Sequence, residues 1–396
     1  MARELLEKTG VTLRDAVADD AVAGVTPRWV ALPETVEEVS AVLRACAEGD
    51  LALTPAGGGT KLHWGAPPER CDVLLDLCCL NEVLEHAAGD LVVRVQAGVT
   101  MGALAGVLAA EGQELALDAP SGATVGGTLA TAACGPRAFR YGAARDLLIG
   151  VTVVLADGTV ARSGGKVVKN VAGYDLGKLF TGSYGTLGVI AEAAFRLHPL
   201  PPDRRWLVVG DARRPRELAA VLAASQAEPS AVELDRPGPG APVAMAALVE
   251  GTAAEERARA LRDAAGAGEV SPEPPPWWES SWWDAPPDEE VLVEARFLPS
   301  ALDGVLEAAD AHALRLRGSP VSGRLRLSPA GEVTEERLAA AVAALRERAH
   351  AAVVLAAPYE GVDRWGPVGA LPLMRRVKQQ FDPGRRMSPG RFAGGI

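Results

Sequence analysis

Three glycine-rich stretches hold the residues of this chain best suited to an anion. They are Pro55-Ala-Gly-Gly-Gly-Thr-Lys61, Pro120-Ser-Gly-Ala-Thr-Val-Gly-Gly127 and the run 164–190, in which Gly182, Gly185 and Gly188 recur every third residue. Glycine has no Cβ, so the backbone can turn tightly there and approach a ligand closely. The first stretch lacks the G-x-x-x-x-G-K-[ST] spacing of a P-loop, and no G-x-G-x-x-G opens a helix as in a dinucleotide fingerprint. Two readings of it remain: a nest of successive N–H groups that holds an anion, or a flexible surface loop. The second stretch leads into a small-residue helix start at Thr128, where N–H groups would point at a phosphate. A dinucleotide pyrophosphate carries two charges and needs several donors, each charge-assisted bond contributing ~1.5–3 kcal/mol. Loops 55–61, 120–128 and 182–188 are expected to supply such donors from different strands. Half of the six lysines (Lys166, Lys169 and Lys178) fall within the third stretch.

The elements that must position these loops are legible around them. Trp29 to Leu32 reads as a strand, Thr35-x-x-Glu38 as a capping box, and Val36, Val39, Val42 and Leu43 as one apolar helix face. Gly49 ends that helix, and the strand Leu51 to Thr54 runs into the first glycine loop. Strands follow at Val73 to Asp76 and Leu91 to Val95, then a helix capped by Thr100 over Met101 to Ala110. Leu147 to Leu155 and Thr159 to Arg162 form a hairpin about Asp157-Gly158. In the third stretch Asp175 caps a short helix over Leu176 to Phe180, and Val189 to His198 is the closing strand.

Pro199-Leu-Pro-Pro202 marks a boundary. Beyond it strands at Trp206–Val209, Val243–Val249, Val291–Phe297 and Leu325–Leu327 alternate with helices over 216–225, 254–265, 302–312 and 335–350. No glycine nest appears there. Trp277, Trp278, Trp282 and Trp283 cluster, read as packing or an interface in preference to a ligand wall. The segment from Met374 to Phe392 is turn-rich and is expected to rejoin the first domain. The fold class expected is α+β, with domains at 1–200, 201–370 (a separate α/β cap) and a returning segment 371–396.

With 396 residues, 48% of them hydrophobic, the chain has material for more than one core. A net charge of −11 argues against a nucleic-acid surface. No apolar run approaches the ~18 residues of a membrane span, and the charged N-terminal helix has no secretory h-region, so a cytoplasmic location is expected. Five cysteines without C-x-x-C spacing read as reduced thiols and not as a cluster site.

Residues 25 to 200 resemble the FAD-binding domain of the vanillyl-alcohol-oxidase/PCMH flavoprotein superfamily, and within it the E-type FAD-binding chain of bacterial glycolate oxidase. The residues that carry the likeness are 55–61, 120–127, Tyr141-Gly-Ala-Ala-Arg-Asp146, the whole of 164–190, and the C-terminal Phe381-Asp-Pro383 and Pro389-Gly-Arg391. The resemblance implies bound FAD. Its pyrophosphate would sit on Gly57, Gly58, Gly59 and Thr60, with Thr124, Gly126 and Gly127 opposite. Gly185, Gly188 and Ile190 would lie near the adenosine half, and the flavin ring would face the second domain. Pro55, Ala56, Lys61, Pro120, Ser121, Tyr141, Gly142, Arg145 and Val189 complete the expected cofactor-binding set.

Covalent members attach FAD through a His directly after the first-loop glycines. Thr60-Lys61 stand there instead, with His63 further on as a loop residue, so non-covalent FAD is expected. The metal-binding histidines of D-lactate-type dehydrogenases have no counterpart, since His312 and His350 sit in separate helical segments, and no metal is expected. The family's terminal Asn-Pro-Gly is Ser388-Pro-Gly. The implied function is an oxidoreductase subunit that oxidises a small 2-hydroxy acid such as glycolate or D-lactate through FAD, with a second flavoprotein subunit and an iron–sulfur subunit as partners. Peripheral membrane association would come through them. The alternative is an FAD-carrying electron-transfer or assembly subunit that serves a catalytic partner. For the acid's carboxylate the candidates are Arg324 and Arg326, because a guanidinium binds carboxylates bidentately; a solvated strand face is the competing reading of either. Tyr174 and Lys169 are candidates near the flavin.

Overall fold

The computed structural model describes residues 2–165, 175–279 and 291–396. These residues form two compact units: 1–134, 143–200 and 367–396 in the first, and 135–142 with 201–366 in the second. The candidates Lys169 and Tyr174, and Trp282 and Trp283, lie outside the described residues.

The first unit begins with a four-stranded sheet in the order Thr12–Asp15, Trp29–Leu32, Val73–Asp76, Leu53–Ala56. The last three strands run parallel, which requires a crossover between Trp29–Leu32 and Leu53–Ala56. The helix Val36–Glu48 provides it. Thr35 Oγ1 accepts from Glu38 N at 3.1 Å, while the Glu38 carboxylate reaches back to Glu34 N at 2.7 Å. That helix buries Val36, Val39, Val42 and Leu43, each buried branched side chain contributing ~1.5–3 kcal/mol. Its Ser40 Oγ donates to Gly158 O in the hairpin turn between Leu148–Val154 and Val160–Gly164. A Cβ on Gly158 would meet Arg44 Cγ at 2.5 Å, so this close approach needs glycine.

A second, five-stranded antiparallel sheet follows the order Val83–Ala87, Val92–Gln96, Val189–Arg196, Leu148–Val154, Val160–Gly164. Val83–Ala87 was not expected: all five of its residues are half-buried, so Glu85 and His86 blur the apolar alternation. The C-terminal helix Leu371–Phe381 returns to this unit, where Phe381 meets Phe180 edge-on at 5.6 Å.

The second unit is built on an eight-stranded sheet, and every pairing in it is antiparallel. Its helices Pro215–Ala223, Ala254–Ala265, Leu302–Ala311 and Glu335–Arg348 bury their apolar faces against one side. Strands Ala231–Arg236, Leu314–Ser319 and Ala351–Ala356 join those expected. The alternation of strand and helix in the sequence therefore does not mean a parallel sheet here. Trp278 packs with Trp206, Ala231 and Leu248, in keeping with a packing role.

Candidate functional site: a cleft of bare backbone

The cleft lies within the first unit and spans about 780 Å³ counted to its open mouth. Each of the three glycine stretches contributes a wall. Of the expected cofactor residues, Pro55, Ala56, Gly57, Gly58, Gly59, Thr60, Lys61, Thr124, Gly126, Gly127, Gly185, Gly188 and Ile190 line it.

The first loop leaves its donors open. Among the described residues, the N–H groups of Gly57, Gly58, Gly59 and Thr60 have no acceptor. Consecutive unpaired N–H groups make a concave positive surface, the nest that holds phosphates. Side chains are excluded for a geometric reason: a Cβ on Gly57 would stand 2.0 Å from Thr124 Oγ1, and one on Gly58 2.2 Å from Gly122 O. The two loops thus lie back to back.

The second loop behaves differently from the expectation that its N–H groups point at a phosphate. Gly126 N donates to Ala97 O at 2.8 Å, and Gly127 N to Thr124 Oγ1 at 3.2 Å. What glycine supplies at 126 is clearance, because a Cβ there would sit 2.8 Å from Ala97 Cβ. In the third loop Gly185 has φ of +71°, and a Cβ would meet Pro55 Cδ at 2.9 Å. Asp175 caps the helix Leu176–Phe180 from its side chain, as expected.

Six expected residues fall outside the lining. Val189 is wholly buried in the core, since strand alternation turns it away from Ile190. Pro120 is half-buried and Ser121 is exposed, its side chain against Gly102. Tyr141 and Gly142 belong to the second unit, where the Tyr141 hydroxyl donates to Glu250 Oε2 at 3.2 Å. Arg145 is exposed on the helix Ala144–Leu147.

Arg391, Ser183 and Tyr184 also line the cleft and were not singled out. Arg391 donates to Leu62 O at 3.1 Å and Trp64 O at 2.5 Å, clamping the chain that follows the first loop. Its place in Pro389-Gly-Arg391 was the only local signal. The segment is anchored by Lys378, which donates to Asp382 Oδ2, Thr186 O and Met387 O at 2.7, 2.7 and 2.8 Å. Burial lowers the Lys378 ammonium below its ordinary value, against the opposing pull of Asp382. Ser388 adopts φ of +43°, a left-handed conformation that asparagine tolerates better than serine.

A dinucleotide flavin fits this site on two observations. Gly57 and Gly58 admit no side chain against the second loop, which leaves their open N–H groups bare, and the buried Ser183 Oγ in the wall makes no hydrogen bond within the described residues. Buried hydroxyls are ordinarily bonded.

Arg324 and Arg326 stand in the second unit on the strand Arg324–Pro329. Register places Asp235, Arg317, Arg326 and Glu294 side by side across four strands. Glu294 accepts from Arg296 at 2.7 Å, with Arg324 Nε 3.7 Å away. Burial pushes the Glu294 carboxyl up, but Arg324, Arg296 and Arg326 together outweigh it and hold it below the usual range. Asp235, bonded to Arg317 at 2.5 Å, shows the opposite balance: burial wins and its carboxyl is raised.

Comparison with known proteins agrees with the cleft. The family described as an FAD binding domain matches residues 27–164. The chain is 36% identical to glycolate oxidase subunit GlcD of Bacillus subtilis, over 46% of this chain and 41% of that protein. It is 36% identical to mitochondrial D-lactate dehydrogenase [cytochrome] 1 of Saccharomyces cerevisiae, over 46% and 32%. With a D-2-hydroxyglutarate dehydrogenase of Xanthomonas citri it shares 38%, over 46% and 41%. The chain thus spans less than half the length of these relatives. Among solved structures, Physcomitrella patens BBE-like 1 superposes with a TM-score of 0.72 at 13% identity, over 98% of this chain and 97% of that one. Chitooligosaccharide oxidase gives 0.69 at 16%, over 97% of each. At such identities these two speak for the fold alone. The protein therefore carries an FAD-binding domain of the PCMH type, and FAD is its cofactor.

Proposed function

We propose that this chain is an FAD-dependent oxidoreductase acting on a small 2-hydroxy acid such as glycolate or D-lactate. The observation that supports it most is the run of four open N–H groups at Gly57 to Thr60 in a cleft of bare loops. The substrate class follows relatives named for glycolate, D-lactate and D-2-hydroxyglutarate. When bound, FAD supplies the acceptor for the hydride of the substrate Cα–H. The chain's own work is to hold the pyrophosphate on the first loop, without a covalent link, and to exclude side chains from that surface. Arg324 and Arg326 are the proposed carboxylate ligands, with Lys169 and Tyr174 proposed near the flavin. No helix among the described residues is long and apolar enough to cross a membrane, and we place the protein in the cytoplasm.

One observation favours a second reading. Arg324 and Arg326 surround Glu294, so their guanidinium groups already face a carboxylate of their own chain. In that reading the protein carries FAD for electron transfer or assembly, beside a second flavoprotein subunit and an iron–sulfur subunit. Anaerobic addition of D-lactate or glycolate to the FAD-loaded chain separates the two. Loss of flavin absorbance by the chain alone supports the first reading, and loss only with the partners present supports the second. Purified protein that is colourless and takes up no FAD overturns both.

A further inference from the structure

A second cavity lies wholly within the second unit, about 940 Å³ counted to its mouth. Arg296, Arg324, Arg348, His350, Ser300 and Ser322 line it, and none of its ten lining residues is acidic. That is a marked local excess of positive charge in a chain of net charge −11. Arg296 and Arg324 are neighbours across the sheet, and His350 directly precedes Ala351, which pairs with Arg296. Arg324, Arg296 and His350 therefore stand at the ends of three adjacent strands, and Arg348 closes the helix that leads into the third, a rigid base for a site.

Two features set this groove apart from a solvated rim. Arg296 and Arg324 are braced from behind by the single buried carboxylate of Glu294, so one negative charge orients two guanidinium groups. The side chains of Arg348 and His350, by contrast, are exposed and make neither an ion pair nor a hydrogen bond among the described residues. The floor is kept bare as well. Gly323 has φ of +62°, and a Cβ on it would stand 1.9 Å from Phe297 O.

The geometry points to a binding site for a compact multivalent oxyanion, a phosphate ester or a di- or tricarboxylate, distinct from the FAD cleft. Guanidinium forks match the oxygens of both groups, and a concave wall of one sign focuses the field on an anion. The site shares Arg324 with the carboxylate ligands proposed above, so the test is read on Arg348, which has no part in that proposal.

The test uses the full chain loaded with FAD, so that the cofactor cleft is filled. Citrate and inorganic pyrophosphate are titrated calorimetrically, with sodium chloride matched for ionic strength. Saturable one-to-one binding is expected for at least one of the two, and whichever binds more tightly identifies the carboxylate or the phosphate source. Arg348→Gln is expected to weaken it about tenfold or more, and Arg348→Lys to restore most of it, since the loss is of a charge-assisted contact. FAD content and thermal stability should be unchanged in both variants, because Arg348 is exposed and makes no ion pair among the described residues. Absence of saturable binding by either anion, or equal binding by Arg348→Gln, would overturn the assignment.

Discussion

The two units of this protein meet charge in opposite ways. The first exposes backbone: Gly57 to Thr60 present N–H groups with no side chain in front of them, and the glycines around them are required by clearances near 2 Å. The second uses side chains, with Asp235, Arg317, Arg326 and Glu294 in one row across its sheet. A backbone nest reads an anion by shape and cannot titrate. A side-chain network titrates, and each carboxylate in it answers to the number of its cationic neighbours. Three arginines hold Glu294 below the usual range, while Arg317 alone leaves Asp235 raised.

The largest effect should come from breaking the side-chain network. Glu294→Gln leaves three guanidinium groups around a neutral amide, at a cost of about 3 kcal/mol, the low end for breaking a buried ion pair, because Arg296 is half-exposed and water screens it. Urea unfolding of the variant should show it; a loss under about 1 kcal/mol would mean that the arginines are satisfied elsewhere. Next comes the backbone nest. In Gly58→Ala the new Cβ meets Gly122 O, a backbone atom that cannot swing away. FAD affinity should fall about 100-fold, equivalent to ~2.7 kcal/mol, with little change in the second unit. Retention of FAD at wild-type affinity would contradict the proposed placement of the pyrophosphate.

The pH dependence sharpens the contrast further. Glu294 is lowered on folding, so the unfolded chain binds its proton first as pH falls. Its contribution is present in full above the ordinary glutamate value of about 4.3 and is lost as pH drops through the lowered folded value. Asp235 is raised, so the folded state takes up its proton first, and its contribution grows as pH falls through that window. Acid titrations of Glu294→Gln and Asp235→Asn should therefore change slope in opposite directions relative to the parent protein. The smallest effect is local. Thr35→Ala removes the cap that accepts from Glu38 N, at a cost of about 1 kcal/mol in thermal or urea unfolding.

Local chemistry made the first unit readable. Thr35 before an apolar helix face, Asp157-Gly158 between two strands and Asp175 before Leu176 each declare an element from a few neighbouring residues. The second unit was harder because its pattern is broken by charges that find partners far along the chain. Ala231–Arg236 carries Glu233, Asp235 and Arg236, all buried, and does not look like a core strand until it is paired. Asp235 meets Arg317, 82 positions away, and Arg236 meets Asp310, 74 away.

By itself, the sequence determined the anion-binding character of loop 55–61, since glycine spacing is a property of the backbone that needs no distant partner. It also carried the likeness to FAD-binding flavoproteins. Tertiary structure alone decided which N–H groups stay open. Gly126 and Gly127 spend theirs on Ala97 and Thr124, whereas Gly57 to Thr60 keep theirs. It decided as well that Val189 faces the core, that Arg391 closes the cleft from the far end of the chain, and that Arg324 and Arg326 surround Glu294. Those outcomes depend on which atoms packing brings within bonding distance, and residue type and spacing do not contain that information.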